Sequence, residues 1–188
     1  MKFILVGIAA LLFVVLSGAY YYFAWPPMVL RHKTEHALVT FNRAVATHDR
    51  AKISEALKTL LAPQAHIKLE ISFFSPLKQN VPATVQDFDK EQFLAFVDNV
   101  LYSLKTYSFD ATLHGFTLSA DRKMADVVFN SQNTAEDLLF YAGMGANMHF
   151  NADIVCTGRA DFGDAEPVLD NAECTVQLTM SAQQGQAE

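Results

Sequence analysis

The sequence predicts an α+β protein, with an N-terminal transmembrane helix followed by three helices packed on a curved antiparallel sheet. Three observations predict it. A nearly uncharged run, Phe3 to Phe23, follows a single lysine. Apolar residues then recur at three- and four-residue steps in stretches that end near Leu104. Beyond that point the period of the pattern falls to two. With 188 residues, 51% hydrophobic and 18% charged, the chain is too apolar for a disordered or collagen-like protein. It is also long enough to bury a core without a disulfide framework or a metal. A net charge of −6 with no basic cluster argues against nucleic acid as a partner.

The run Phe3 to Phe23 is about 30 Å long as a helix, the thickness of a hydrocarbon core. Tyr20, Tyr21, Tyr22, Phe23 and Trp25 crowd its end, as aromatic rings do at the headgroup level, and Pro26-Pro27 then breaks the helix. Residues 1–27 are therefore expected to be a single-pass anchor that contacts the membrane through residues 3–25. A cleaved signal peptide is the rival, with Lys2 as its basic start and Ser17-Gly18-Ala19 as small residues at a cleavage site. Arg31, Lys33 and Arg43 after the segment point the domain toward the cytoplasm. The signal-like start and the placement of the two cysteines favour the outside, a periplasmic domain.

A helical stripe runs from Met28 to Val45, through Leu30, Ala37, Leu38, Phe41, Ala44 and Val45. Asp49 is a predicted N-cap for a second helix with Ile53, Ala56, Leu57, Leu60 and Leu61 on one side, stopping before Pro63. Strict alternation of Ile67, Leu69, Ile71 and Phe73 with His66, Lys68, Glu70 and Ser72 predicts a half-buried strand ending at Pro76. A polar loop is expected to Gln86. Asp89 with Gln92 then resembles a capping box opening a third helix over Phe93, Phe96, Val97, Val100, Leu101 and Leu104. Strands are predicted around Tyr107 to Leu118 and Met124 to Ser131, joined by the turn Ser119 to Lys123. Thr134 and Asp137 are read as opening a helical turn over Leu138 to Ala142. Two long strands, His149 to Phe162 and Asn171 to Met180, flank an acidic connection, and residues 181–188 read as a disordered tail.

The segment Phe41-Asn-Arg-Ala-Val-Ala-Thr-His-Asp49, leading into Ile53 to Leu61 and Pro63-Gln-Ala65, resembles the opening of the nuclear-transport-factor-2-like superfamily. Its cystatin-like cone is shared with ketosteroid isomerase and scytalone dehydratase. Ala125-Asp-Val-Val-Phe129 is similar to that family's central strands. The resemblance spans about Glu35 to Met180 and implies a cone-like domain over residues 28–180. An anchor followed by one cone domain also resembles, in layout, the periplasmic assembly subunit of type IV secretion systems, with a shorter stretch, Met1 and Lys2, before the hydrophobic run.

The cysteines can be tested against hairpin geometry. A hairpin centred on Ala165 sets Cys156 opposite Cys174, and each shares a side with apolar neighbours: Phe150, Ala152 and Ile154, and Ala172, Val176 and Leu178. A cross-strand disulfide is expected, with two small core residues as the plain alternative. The same register sets Thr157 opposite Glu173 and brings Arg159 diagonally to Glu173.

Isomerase-type chemistry needs a carboxylate or histidine inside an apolar pocket, where desolvation tunes its pKa. Asp110, His114 and Asp153 are the candidates retained, with His66, Asp126 and His149 also on strands. Alternation places Asp110, His114 and Asp153 opposite the apolar side, as residues of a solvated or subunit-facing surface. His32, His36 and His48 read as surface histidines and not as metal ligands. Asp161, Asp164, Glu166 and Asp170 lack calcium-loop spacing and read as a solvated turn that can meet a partner. Phe73, Phe93, Phe96, Phe109, Phe129 and Phe150, with Phe74, Phe140 and Tyr141, can line a pocket, although core packing is the preferred reading of the same residues. No phosphate loop, nucleophile elbow, Cys-x-x-Cys or His-Glu-x-x-His occurs. No cofactor or metal is expected. Residues 31 to 60 carry a net charge of +3 and residues 136 to 188 a net of −8. The expectation is a non-enzymatic interaction domain tethered to a membrane, an accessory subunit of a membrane or envelope complex that meets a protein partner or its own copy. The alternative is binding or isomerase/dehydratase-type turnover of an apolar small molecule in the cone.

Overall fold

The structure is a computed structural model and describes residues 13–21, 25–74, 82–137, 147–163 and 166–183. Helix α1 (Phe13–Tyr21) meets α2 (Pro26–Ala46) at a 53° bend. Prolines at the first positions of α2 suit a helix start, because their fixed φ is already helical and their missing N–H would have had no partner. Its last turn closes with His48 in the left-handed region, φ 55°. Helix α3 (Arg50–Leu60) opens on Asp49, whose carboxylate accepts from the Ala51 and Lys52 N–H groups, as expected. Helix α4 (Lys90–Ser103) opens on the predicted capping box of Asp89 and Gln92. The α4 ammonium of Lys90 donates to the Lys58 and Leu61 carbonyls at 2.9 and 2.7 Å, satisfying acceptors at the end of α3.

Strands β1 (Leu61–Phe74), β2 (Thr84–Asp89), β3 (Leu104–Leu118), β4 (Met124–Asp137), β5 (Asn147–Asp161) and β6 (Val168–Gln183) form one sheet in the order β2-β1-β6-β5-β4-β3. Four expectations are corrected. The sheet is not purely antiparallel, since β1 lies parallel to β6, with Leu69 beside Cys174. The stretch read as loop up to Gln86 ends inside β2, an edge strand paired only to β1; only Phe88 of it is even half-buried, so it carries no alternating signal. Thr134 to Asp137 belong to β4, because β5 continues to pair there; the helical turn placed over residues 138–142 lies outside the described residues. The C-terminal strand also runs past Met180 to Gln183, shortening the expected tail.

Alternation gives the sheet two faces. The helices cover the apolar one, where Leu57, Leu61, Ala62, Ala65, Ile67, Leu69, Leu94 and Ala172 form the main core with the two cysteines. A smaller cluster of Ala125, Val127 and Ala160 extends it. At Gly158 the neighbouring strand comes so close that a Cβ would sit 2.6 Å from the Asn171 carbonyl oxygen, so only glycine fits. The free edge at β3 is occupied by α2. The Asn42 amide donates to the Ala111 carbonyl at 3.0 Å and accepts from the Ala111 N–H at 3.2 Å, pairing with the backbone as a strand would.

Candidate functional site

Cys156 and Cys174 are directly opposed in the register and joined by a disulfide, with Cα atoms 4.1 Å apart. Both are buried on the helix-covered face, so the bond is part of the core. The hairpin register expected from the sequence holds from Asn147 to Arg159, with Thr157 opposite Glu173. Arg159, however, faces Asp126 on β4, with Nε 3.5 Å from the carboxylate, instead of reaching Glu173.

Among the described residues, the candidate pocket aromatics fall in separate contacts. Phe88 packs against Phe93 and Phe96, with ring centroids 6.0 and 5.0 Å apart, inside the main core. Phe129 bridges the two clusters. Phe109 meets Phe41 edge-on at 5.2 Å beneath α2. Phe150 is half-buried on β5, whereas Phe73 is 40% exposed and Phe74 is 73% exposed at the end of β1. Phe140 and Tyr141 lie outside the described residues. Among the described polar residues of this face, Ser131 is buried, and Asn133 donates to the Ser131 hydroxyl and the Ala152 carbonyl, both at 3.1 Å.

The titratable candidates lie on the other face. Asp110, His114 and Asp153 are exposed there, and Asp110 accepts from Asn42 at 3.2 Å. His66 sits 3.6 Å from Asp87, and His149 3.5 Å from Glu136. Around them Asn151, Thr157, Glu173, Thr175, Gln177 and Thr179 are exposed, with Val155 46% exposed among them. The acidic residues separate: Asp161 accepts from the Gly163 N–H, Asp170 accepts from Gln64 at 2.9 Å, Glu166 is exposed, and Asp164 lies outside the described residues. Among the described residues no group of three or more His, Cys, Asp or Glu side chains is placed to hold a metal. His32 instead lies 3.1 Å from Glu35. Burial raises the Glu35 pKa, and hydrogen bonds from Arg31 and His32 more than reverse it, leaving that carboxyl below its usual value.

One feature escaped the sequence pattern, an open groove of about 400 Å³ where the α2–α3 turn, the end of α4 and the start of β3 meet. His48, Arg50, Leu101, Tyr102, Lys105 and Tyr107 line it, with Leu104 and Thr106. The His48 ring lies 4.7 Å from the Tyr107 ring, and the Arg50 guanidinium 5.0 Å from the Tyr102 ring. Asp98 accepts two hydrogen bonds from Arg50, at 3.0 and 2.7 Å. The Tyr107 hydroxyl is shielded from solvent and has no hydrogen-bond partner, and burial raises its pKa above 10.0.

No family model matches the sequence, and no curated protein matches it. Solved structures do share the fold. A candidate scytalone dehydratase from Novosphingobium aromaticivorans is 7% identical, with a TM-score of 0.53 over 87% of this chain and 98% of that one. An NTF2-like protein of unknown function from Shewanella oneidensis is 11% identical, with a TM-score of 0.50 over 77% and 98%. A candidate dehydratase of the NTF2-like family from Streptomyces avermitilis is also 11% identical, with a TM-score of 0.50 over 79% and 97%.

Proposed function

We propose that this nuclear-transport-factor-2-like domain is a non-enzymatic interaction module, tethered to a membrane by its N-terminal segment and working as an accessory subunit of a membrane or envelope complex. The observation that carries the reading is the division between the two sheet faces. The covered face carries the packed core and a disulfide, while a polar face with Val155 within it stands open on the other side. A core tied by a disulfide suits an oxidising space outside the cytoplasm.

The tether is supported by α1, where Phe13, Val14, Val15, Leu16, Tyr20 and Tyr21 are all more than half exposed and so find no cover from the domain. No single described helix is long and apolar enough to cross a membrane; α1 and α2 satisfy that criterion only as a bent pair. Dehydratase-type chemistry, as named for two neighbours, would need an acid or base on the covered face. The described candidates Asp110, His114 and Asp153 are on the opposite one.

The test is purification of the full-length protein from native membranes in mild detergent, alone and as Thr175→Arg/Val155→Glu. The reading expects a stoichiometric complex, with a second copy or another subunit, that the double variant loses while its melting temperature stays unchanged. A complex that survives the double variant, or a protein that is monomeric and alone, overturns it. Alkylation in denaturant should label Cys156 and Cys174 only after reduction; free thiols in the native material would return the domain to the cytoplasm.

A further inference from the structure

The groove between the α2–α3 turn, the end of α4 and the start of β3 lies at the margin of the covered face, where Tyr107 alternates in phase with Phe109 and Ala111. We propose that it binds a small planar organic carboxylate of about the size of benzoate. Its volume, about 400 Å³, falls in the lower part of the range of small-molecule sites. Its walls present flat groups in two pairs, His48 tilted at 55° to Tyr107 and Arg50 over the Tyr102 ring. Such surfaces match a planar ring by stacking. Leu101 and Leu104 add apolar lining.

Charge selects the sign of the ligand. The lining carries Arg50, Lys105 and His48 and no carboxylate. Of the acids beside the groove, Asp98 is engaged by Arg50 and Asp49 by the N–H groups of Ala51 and Lys52, while Glu136, the β4 partner of Thr106, lies 3.5 Å from His149. Lys105 therefore supplies positive charge at the groove that no described ion pair offsets. Preorganisation lowers the ordering cost of binding. Arg50 is held by two hydrogen bonds from one side and a ring from the other, and His48 is aimed by a left-handed backbone that non-glycine residues seldom adopt. Tyr107 contributes its ring; its hydroxyl is shielded from solvent.

The experiment titrates 4-fluorobenzoate against the full-length protein in detergent, followed by fluorine NMR with empty micelles as the blank and 4-fluorobenzamide as the uncharged comparison. Saturable binding with a Kd of about 1 mM or tighter is expected, weakened by about 5-fold or more in the benzamide and in both Lys105→Met and Tyr102→Ala. Both variants change exposed side chains, and unchanged circular dichroism would confirm their fold. Absence of saturation up to about 10 mM, equal binding of the benzamide, or binding that neither variant weakens would each overturn the assignment. The last outcome would place the ligand elsewhere on the protein.

Discussion

Cys156, Gly158 and Ala160 alternate along β5 with Val155, Thr157 and Arg159, yet the two sets live in different physical worlds. The first set is packed against β6, the helices or the neighbouring core, where one added methyl at Gly158 would collide with a carbonyl. The second set is exposed, and its one ion pair, Arg159 with Asp126, spans 3.5 Å between side chains that are more than half exposed. Pairs of that kind contribute little to stability. The difference teaches that the covered face is constrained by volume and the open face hardly at all. Stability and interaction can therefore be altered separately by substitutions one residue apart.

Three changes test that separation. The largest effect is expected from Cys156→Ala/Cys174→Ala. The bond closes a loop with a sequence separation of 18, for which chain-entropy reasoning gives about 3 kcal/mol. Thermal unfolding with and without reductant should show the wild type, reduced, melting near the double variant; equal melting of oxidised and reduced protein would deny the disulfide its role in the covered face. Next, Gly158→Ala should cost about 1–3 kcal/mol by overpacking, read from urea unfolding. The neighbouring Thr157→Ala should stay within about 0.5 kcal/mol. Similar costs for the two would erase the distinction between the faces.

A change of the opposite sign is expected at Tyr107, whose buried hydroxyl has no partner. Tyr107→Phe removes an uncompensated polar group and should be neutral or stabilising by about 1 kcal/mol at pH 7. Burial raises the folded pKa above 10.0, so the folded state holds the phenol proton more tightly than the unfolded chain does. Its effect on stability is flat below the unfolded pKa, and stability is lost as pH rises from there through the folded value. Unfolding from pH 9 to 11 should therefore show a shallower decline for Tyr107→Phe than for the wild type.

What the sequence disclosed follows the same division. The β5–β6 register was legible because a sharp apolar side on each strand admits one alignment, and the opposed cysteines lie within it. Both helix caps were legible because Asp49, Asp89 and Gln92 act on backbone groups two or three residues away. Strand β2 was hidden because an edge strand with its flanks in solvent needs no alternation. The parallel β1–β6 pairing was hidden for a different reason: alternation says which way a residue faces and nothing about which strand lies beside it. The groove was hidden because His48 and Tyr107, or Arg50 and Asp98, meet only after α3 and α4 have packed together. The exposure of Asp110, His114 and Asp153 was readable, whereas the Asn42 contact to Asp110 was not.

The parallel pair also orders events during synthesis. Strand β1 is flanked by β2 on one side and β6 on the other, and its β6 partners run from Leu169 to Thr179, about a hundred residues later in the chain. Until that last segment has left the ribosome, one long edge of β1 has no neighbour, and β5 likewise lacks its β6 side. Contacts of such long range form late, and an open edge in the interval invites pairing with other chains. A nascent chain halted before Val168 thus carries the helices and most of the strands while leaving its central seam unclosed, which makes the C-terminal strand the step that commits this protein to its fold.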